Sequence, residues 1–248
     1  MRFFFLHNPK AGGTSLRTFL AEAAPGFSYA PVFGNAPNDY RRLGKDFSAF
    51  AGFDTYFGHY GFEVYVALGE GHALITNFRD LVRRVHSIYR YWRNNVDLAA
   101  LTHLDQGDAD VVRSAQQLSF SDFIRQDSDD LRAYTHNFHA RQLYRDGWNP
   151  DPLDAAAVDL VKRRISAMPW FYIAESAEVS IYLFGRAFGT AAEEAISRQN
   201  ESRGTFDGIA LADAAYLAER NCHDYEIYAH AWREQAQRLA AAAQQSSA

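Results

Sequence analysis

Apolar and polar positions along this chain fall into blocks that read alternately as strands and helices. Residues 2–8 contain the run Phe3-Phe4-Phe5-Leu6 and read as a strand. Leu16, Phe19 and Leu20 recur at helical spacing and predict a helix over 14–23. Residues 24–52 are rich in Gly, Pro, Asn and Asp and read mostly as loop. Thr55-Tyr56-Phe57 predicts a short strand ending at Gly58-His59, with a helix at 62–68. Ala73-Leu74-Ile75-Thr76-Asn77-Phe78 predicts the next strand. After it, Val82, Val85, Tyr89 and Trp92 form one apolar stripe, and Asp80 is a natural N-cap for that helix.

Residues 97–115 are polar and weakly patterned, and read as a variable insertion or lid. Helical patterns follow at about 120–126 and 129–145, then a break at Asn149-Pro150-Asp151-Pro152 and a helix at 153–167. Trp170-Phe171-Tyr172-Ile173-Ala174 predicts a further strand, 176–188 a helix and 211–240 a last helix, with 241–248 a frayed tail. This alternation predicts an α/β fold, a parallel sheet covered by helices on both faces. Such sheets bind ligands beyond the carboxyl ends of their strands. The loops after Leu6, Phe57 and Phe78 are therefore where a site is expected.

Composition narrows the picture. The length of 248 residues predicts one domain spanning 1–248, and 48% apolar with 15% aromatic residues can form a sizeable core. A net charge of −5 gives no global basic bias towards nucleic acid or an anionic membrane. The one cysteine, Cys222, can form no internal disulfide, which fits a reducing compartment. No apolar stretch approaches the roughly 18 residues of a membrane span, and the apolar run in Met1–Leu6 is short for a signal peptide. A cytoplasmic protein with no stable membrane insertion is expected.

Two motifs carry candidate chemistry. In Pro9-Lys10-Ala11-Gly12-Gly13-Thr14-Ser15, glycines let backbone N–H groups close around phosphate oxygens, and the next helix adds its positive end. The nucleotide loop G-x-x-x-x-G-K-[ST] places its lysine after the glycines; here Lys10 precedes them. The plain alternative is a strand-to-helix turn that needs glycine. In the second motif, Arg79 ends a strand and Ser87 lies two turns along the next helix, so a guanidinium fork and a hydroxyl can grip one phosphate. The plain alternative is a surface ion pair and an ordinary helix residue.

Together these motifs resemble the PAPS-dependent sulfotransferases, nearest the branch of carbohydrate (uronosyl 2-O-type) and bacterial enzymes. PAPS is 3′-phosphoadenosine 5′-phosphosulfate. His7-Asn8-Pro9-Lys10-Ala11-Gly12-Gly13-Thr14-Ser15 resembles the family segment that grips the 5′-phosphosulfate. Arg79-Asp80-Leu81-Val82-Arg83-Arg84-Val85-His86-Ser87-Ile88-Tyr89 resembles the segment that grips the 3′-phosphate, with Leu81 where the family has proline. Phe57-Gly58-His59-Tyr60-Gly61-Phe62 is similar to the segment that carries the candidate catalytic base. Asn137-Phe138-His139-Ala140-Arg141-Gln142-Leu143 is similar to N-x-Q-T-R-x-L but departs at His139 and Ala140. Trp170 to Glu175, Asn200 to Arg203 and Asp224 to Tyr228 resemble a late strand, a loop over the nucleotide and a final helix.

The resemblance implies a P-loop NTPase-like three-layer sandwich and in-line sulfuryl transfer from PAPS to an acceptor hydroxyl, leaving PAP, adenosine 3′,5′-bisphosphate. Within it, Lys10 stabilises the leaving oxygen, and Ala11, Gly12, Gly13, Thr14 and Ser15 hold the 5′-phosphate. Arg79 and Ser87, with Arg203, hold the 3′-phosphate, and His59 is the base. His7 is expected to order the loop by hydrogen bonding; His86, His136 and His139 are read as structural or substrate-side. No metal is implied: His136 and His139, three apart, lack a third ligand. The acceptor is expected to be a carbohydrate, glycolipid or other small molecule, with Tyr60, Phe62, Tyr65, Tyr91 and Trp92 as a stacking platform or as core. The basic cluster Arg83, Arg84, Arg90 and Arg93 faces either an acidic glycan or solvent. Competing readings are an ATP-dependent P-loop kinase, and a non-catalytic nucleotide- or glycan-binding protein on the same fold.

Overall fold

The computed structural model describes the chain except residues 24, 33–38, 40–42, 99–105, 191–208 and 247–248. Four parallel strands form one sheet in the order β2-β1-β3-β4: β1 Phe3–Leu6, β2 Thr55–Gly58, β3 Ala73–Phe78 and β4 Tyr172–Ile173. β1 is central. Phe3 to Leu6 pair with Thr55 to Gly58 on one side and with Ala73 to Thr76 on the other. Asn77 and Phe78 pair with Tyr172 and Ile173. All four β1 residues are fully buried, as a strand covered on both faces requires.

Phe4 and Leu6 point to one face, where they join Tyr56, Phe78, Phe138, Leu143, Val161 and Ile165. Phe3 and Phe5 point to the other, with Leu16, Phe19, Trp170 and Phe184. The second face is covered by α1 Gly13–Ala23 and α9 Ala177–Phe188. The first is covered by α2 Phe62–Leu68, α7 Phe138–Tyr144 and α8 Ala155–Ala167. A third cluster surrounds α3 Leu81–Asn95. It contains α4 Gln106–Gln117, α5 Phe120–Ile124, α6 Asp129–Thr135 and α10 Leu211–Arg220. Among the described residues, no helix is long and apolar enough to cross a membrane.

The polar stretch expected as an insertion or lid holds α4, whose Val111, Val112 and Ala115 are buried. Only a few of its positions face the core, so the stripe is easily missed among charges. The strand expected at 170–174 is two residues long, because Ala174–Ser176 turns into a 3-10 segment. The expected tail is helical as far as Ser246, within α11 Cys222–Ser246.

Two single helices expected from the pattern are each broken in two. The stretch 129–145 breaks at Asn137, whose φ of 47° is left-handed. The stretch 211–240 breaks at Asn221. The breaks hold each other. Asn137 N–H donates to Asn221 Oδ1 at 2.6 Å, while Asn137 Oδ1 accepts from the N–H groups of His223 and Asp224, both at 3.1 Å. Asp224 in turn accepts from Ala140 N–H at 2.8 Å and His139 N–H at 3.4 Å. Helices α7 and α11 thus satisfy each other's first-turn donors, which otherwise have no partner.

His139 is buried in this region. Its Nε2 lies 2.9 Å from Thr76 Oγ1, and that hydroxyl donates to Leu6 C=O at 2.7 Å, so Nε2 carries the hydrogen. Burial, with Arg84 nearby, holds the His139 pKa well below the ordinary value. Burial and the cations Arg220, Arg132 and Arg141 lower His136 to about 4. Both groups bind protons more weakly when folded than unfolded. Their contribution is full above about pH 6.5 and is lost as pH falls, at up to ~1.4 kcal/mol per pH unit for each fully excluded histidine. The melting temperature should therefore fall steadily from pH 6.5 to 4.5. His139→Gln keeps a donor to Thr76 without an ionising ring and should flatten the slope; an equal slope in both proteins would show that His139 is protonated in the fold.

Candidate functional site

The strand order reverses between β1 and β3, and the crevice beyond their carboxyl ends is where such sheets hold ligands. Along this edge stand His59 after β2, the loop 7–13 after β1, Arg79 after β3 and Glu175 after β4. The three loops expected to carry the site do meet there.

The loop is compact. His7 N–H donates to Gly58 C=O at 2.9 Å, tying the exits of β1 and β2. Asn77, fully buried at the end of β3, accepts from Asn8 N–H at 2.7 Å and donates to Asn8 C=O at 3.2 Å and Ala11 C=O at 2.8 Å. Arg79 Nη1 donates to Lys10 C=O at 2.9 Å. Gly12 has φ +86° and Gly13 starts α1, so the first-turn N–H groups of Gly13, Thr14 and Ser15 have no intrahelical acceptor. Ala11 is buried, whereas Gly12 and Thr14 are exposed and Ser15 is half-buried. The loop thus presents a helix N-terminus towards solvent, the arrangement that favours an anion.

Lys10 and Arg79 bring two cations together. Lys10 Nζ sits 4.1 Å from the centre of the Tyr91 ring, a cation–π contact. Burial, then Arg79, lowers the Lys10 pKa. Burial also lowers Arg79, and Glu175 opposes it. Glu175 is itself fixed, accepting from Asp80 N–H at 3.0 Å and Tyr228 O–H at 2.9 Å. Asp80 caps α3 as expected, accepting from Arg83 N–H at 2.9 Å. Ser87 is half-buried on α3, one turn before Tyr91, so it shares the helix face that bears Lys10's ring partner. Arg203 lies outside the described residues.

His59 lies beside His7, with ring centroids 4.8 Å apart, and Trp148 is 6.2 Å away on another side. His7 does not order the loop by a ring hydrogen bond at Nε2, which is buried and unpartnered. It packs instead: a Cβ on Gly13 would lie 1.7 Å from Nε2. Burial, then His59, Lys10 and His139, holds the His7 pKa well below the ordinary value, so the ring is neutral.

The remaining expectations separate. Tyr60 is fully buried against Phe4 and donates to Phe57 C=O at 3.2 Å; Phe62 and Tyr65 also pack on the core. Tyr91 is exposed and carries Lys10 Nζ on its ring, whereas Trp92 is half-buried and packs edge-on against Phe123 and Tyr134, so the expected platform divides between the site and the core. Of the basic cluster, Arg84 points inward, 4.0 Å from Asp224, because it shares a helix face with Leu81, Val85 and Ile88. Arg93 serves the fold by donating to Leu118 C=O at 2.8 Å. Arg83 and Arg90 are exposed. Among the described residues, no group of three or more His, Cys, Asp or Glu could hold a metal. Asn77 and Glu175 had no role read from sequence, although strand-terminal polar residues beside Arg79 were a usable signal.

The Gly13 contact gives a test that needs no ligand. Gly13→Ala should cost about 1–3 kcal/mol in urea unfolding, as overpacking does. His7→Ala/Gly13→Ala should recover most of the Gly13→Ala penalty relative to His7→Ala. Additive losses would mean that the ring does not set the space at Gly13. A scan against models of known protein families matches none to this chain, and a search of curated proteins returns no match, so residues and geometry alone carry any functional reading.

Proposed function

We propose that this chain is a PAPS-dependent sulfotransferase on a P-loop NTPase-like three-layer sandwich, acting on an acceptor hydroxyl of a saccharide or other small molecule. The observation that carries this reading is the convergence of Lys10 and Arg79. The first lies in the helix-opening loop, the second ends the neighbouring strand, and a hydrogen bond joins them. Two cations from separate elements suit a ligand with two separate anionic groups, as PAPS has and ATP, with its single phosphate chain, does not.

The chemistry follows from the positions. First-turn amides of α1 hold the 5′-phosphate, and Lys10 faces the oxygen that leaves sulfur. Arg79, with Ser87 on the adjoining helix, holds the 3′-phosphate. His59 takes the proton of the acceptor hydroxyl as its oxygen bonds to sulfur and the sulfur–oxygen bond to the donor breaks. A neutral His7 beside it adds no cation that would depress its proton affinity. Tyr91, exposed beside Lys10, offers the acceptor an aromatic surface. Sulfuryl transfer resembles phosphoryl transfer, in which catalysis rests on positioning and charge stabilisation.

Calorimetric titration without metal should show adenosine 3′,5′-bisphosphate binding more tightly than ATP with Mg²⁺; the reverse order would overturn the reading in favour of a kinase. Arg79→Ala should weaken bisphosphate binding about 10- to 100-fold, the worth of one charge-assisted contact, with little effect on a nucleotide lacking the 3′-phosphate. His59→Ala should keep bisphosphate affinity and lower sulfuryl transfer about 10²- to 10⁴-fold. Unchanged turnover would remove His59 as the base.

A further inference from the structure

Asn8-Pro9-Lys10-Ala11 is a β-turn closed by Ala11 N–H donating to Asn8 C=O at 3.4 Å. Pro9 occupies the second position, where its fixed φ of about −65° is favoured. Lys10 occupies the third with φ +63°. Turns of this kind reserve that left-handed position for glycine or asparagine, since a Cβ is unfavourable there. Among the described residues, only Lys10, Lys45 and Asn137 combine positive φ with a side chain. A conformation of this kind persists where surrounding groups impose it.

Asn77 supplies that imposition. Its three hydrogen bonds all go to Asn8 and Ala11, the two ends of the turn that enclose Lys10. Asn8 is 2% exposed, and Ala11 and Asn77 are 0% exposed, so solvent cannot replace these bonds. A leucine of similar size would strand the buried Asn8 N–H and Ala11 C=O and leave Asn8 C=O with only the long turn bond from Ala11 N–H. Arg79 adds the bond to Lys10 C=O, and the result directs the Lys10 ammonium onto Tyr91. We propose that Asn77 is a positioning residue for Lys10, clamping the turn in its left-handed form and so aiming the lysine into the site. The catalytic consequence rests on the sulfotransferase reading; the clamp itself does not.

Four variants test it: Asn77→Ala, Lys10→Ala, the double variant and Lys10→Gly. Lys10→Gly should melt about 2–4 °C above Lys10→Ala, because glycine accepts the left-handed backbone. In Asn77→Ala, the Asn8 and Ala11 amides should exchange hydrogen at least about tenfold faster than in wild type, with Phe4 and Phe5 amides unchanged. Asn77→Ala should weaken bisphosphate binding about tenfold with Lys10 present and less than about twofold in the Lys10→Ala background. A merely structural asparagine would cost the same in both backgrounds. Equal penalties, unchanged loop exchange, or no advantage of Lys10→Gly over Lys10→Ala would each overturn the proposal. A wild-type protein with no bisphosphate affinity would instead overturn the sulfotransferase reading. Exchange at Asn8 and Ala11 would then still decide the clamp, and if Asn77→Ala does not fold, absence of a Lys10→Gly advantage would still overturn the left-handed strain on which the clamp rests.

Discussion

The buried carboxylate of Asp224 is the constraint on which the arrangement around the sheet depends. It caps α7 through Ala140 N–H and lies 4.0 Å from the guanidinium of Arg84 on α3, so three helices meet at one group. From α7 the ordering continues through His139 and Thr76 to the carbonyl of Leu6, the last residue of β1 before the loop. Burial pushes the Asp224 pKa up and the Arg84 pKa down, so desolvation opposes the charged form of each. A pair this long does not repay that cost by attraction alone. Its effect is on alternatives: a helix packed differently would leave a charge in the core without a counterpart, at about 3–5 kcal/mol.

Elements governed by local periodicity were legible in the sequence. The helix at 62–68, the strand at 73–78 and the Asp80 cap have the bounds and role that their patterns imply. The breaks at Asn137 and Asn221 were not legible, because each asparagine is stabilised by the other from 84 residues away. Asparagine inside a helical pattern is only mildly unfavourable, so nothing local announces a break. Arg84 misled for a related reason: arginine is normally exposed, and the carboxylate that admits it to the core is contributed by a distant helix. For the site, the sequence indicated which loops to join, and the sheet order shows them adjacent. The part played by Asn77 depended on β1 and β3 being neighbours, a fact of topology that spacing along the chain does not carry.

The electrostatics of the crevice run against those of the whole molecule. The chain carries a net charge of −5, yet Lys10, Arg79 and the amino end of α1 converge here, with the carboxylates of Glu175 and Asp80 acting on Arg79. Burial weakens both cations' hold on their protons; Arg79 weakens that of Lys10 further, and Arg83 that of Arg79, against the opposing pull of Glu175 and Asp80. An anion entering the crevice would relieve this repulsion, so part of its binding energy would come from an unfavourable free state. Local focusing of this kind lets an acidic protein attract an acidic ligand without a basic surface.

The central strand has a consequence for how the chain reaches this structure. Phe3-Phe4-Phe5-Leu6 is uncharged, rich in β-formers and fully buried, the composition that self-associates when left unpaired. Its partner on one side is β3, and the bond from Thr76 to Leu6 spans 70 residues. At synthesis rates of about 5–20 residues per second, the segment waits roughly 4–14 s for that partner. During that interval its edges have no neighbour from β3. The residues that make the sheet secure once formed are therefore the ones most in need of shielding while it forms, by a chaperone or by transient collapse onto α1.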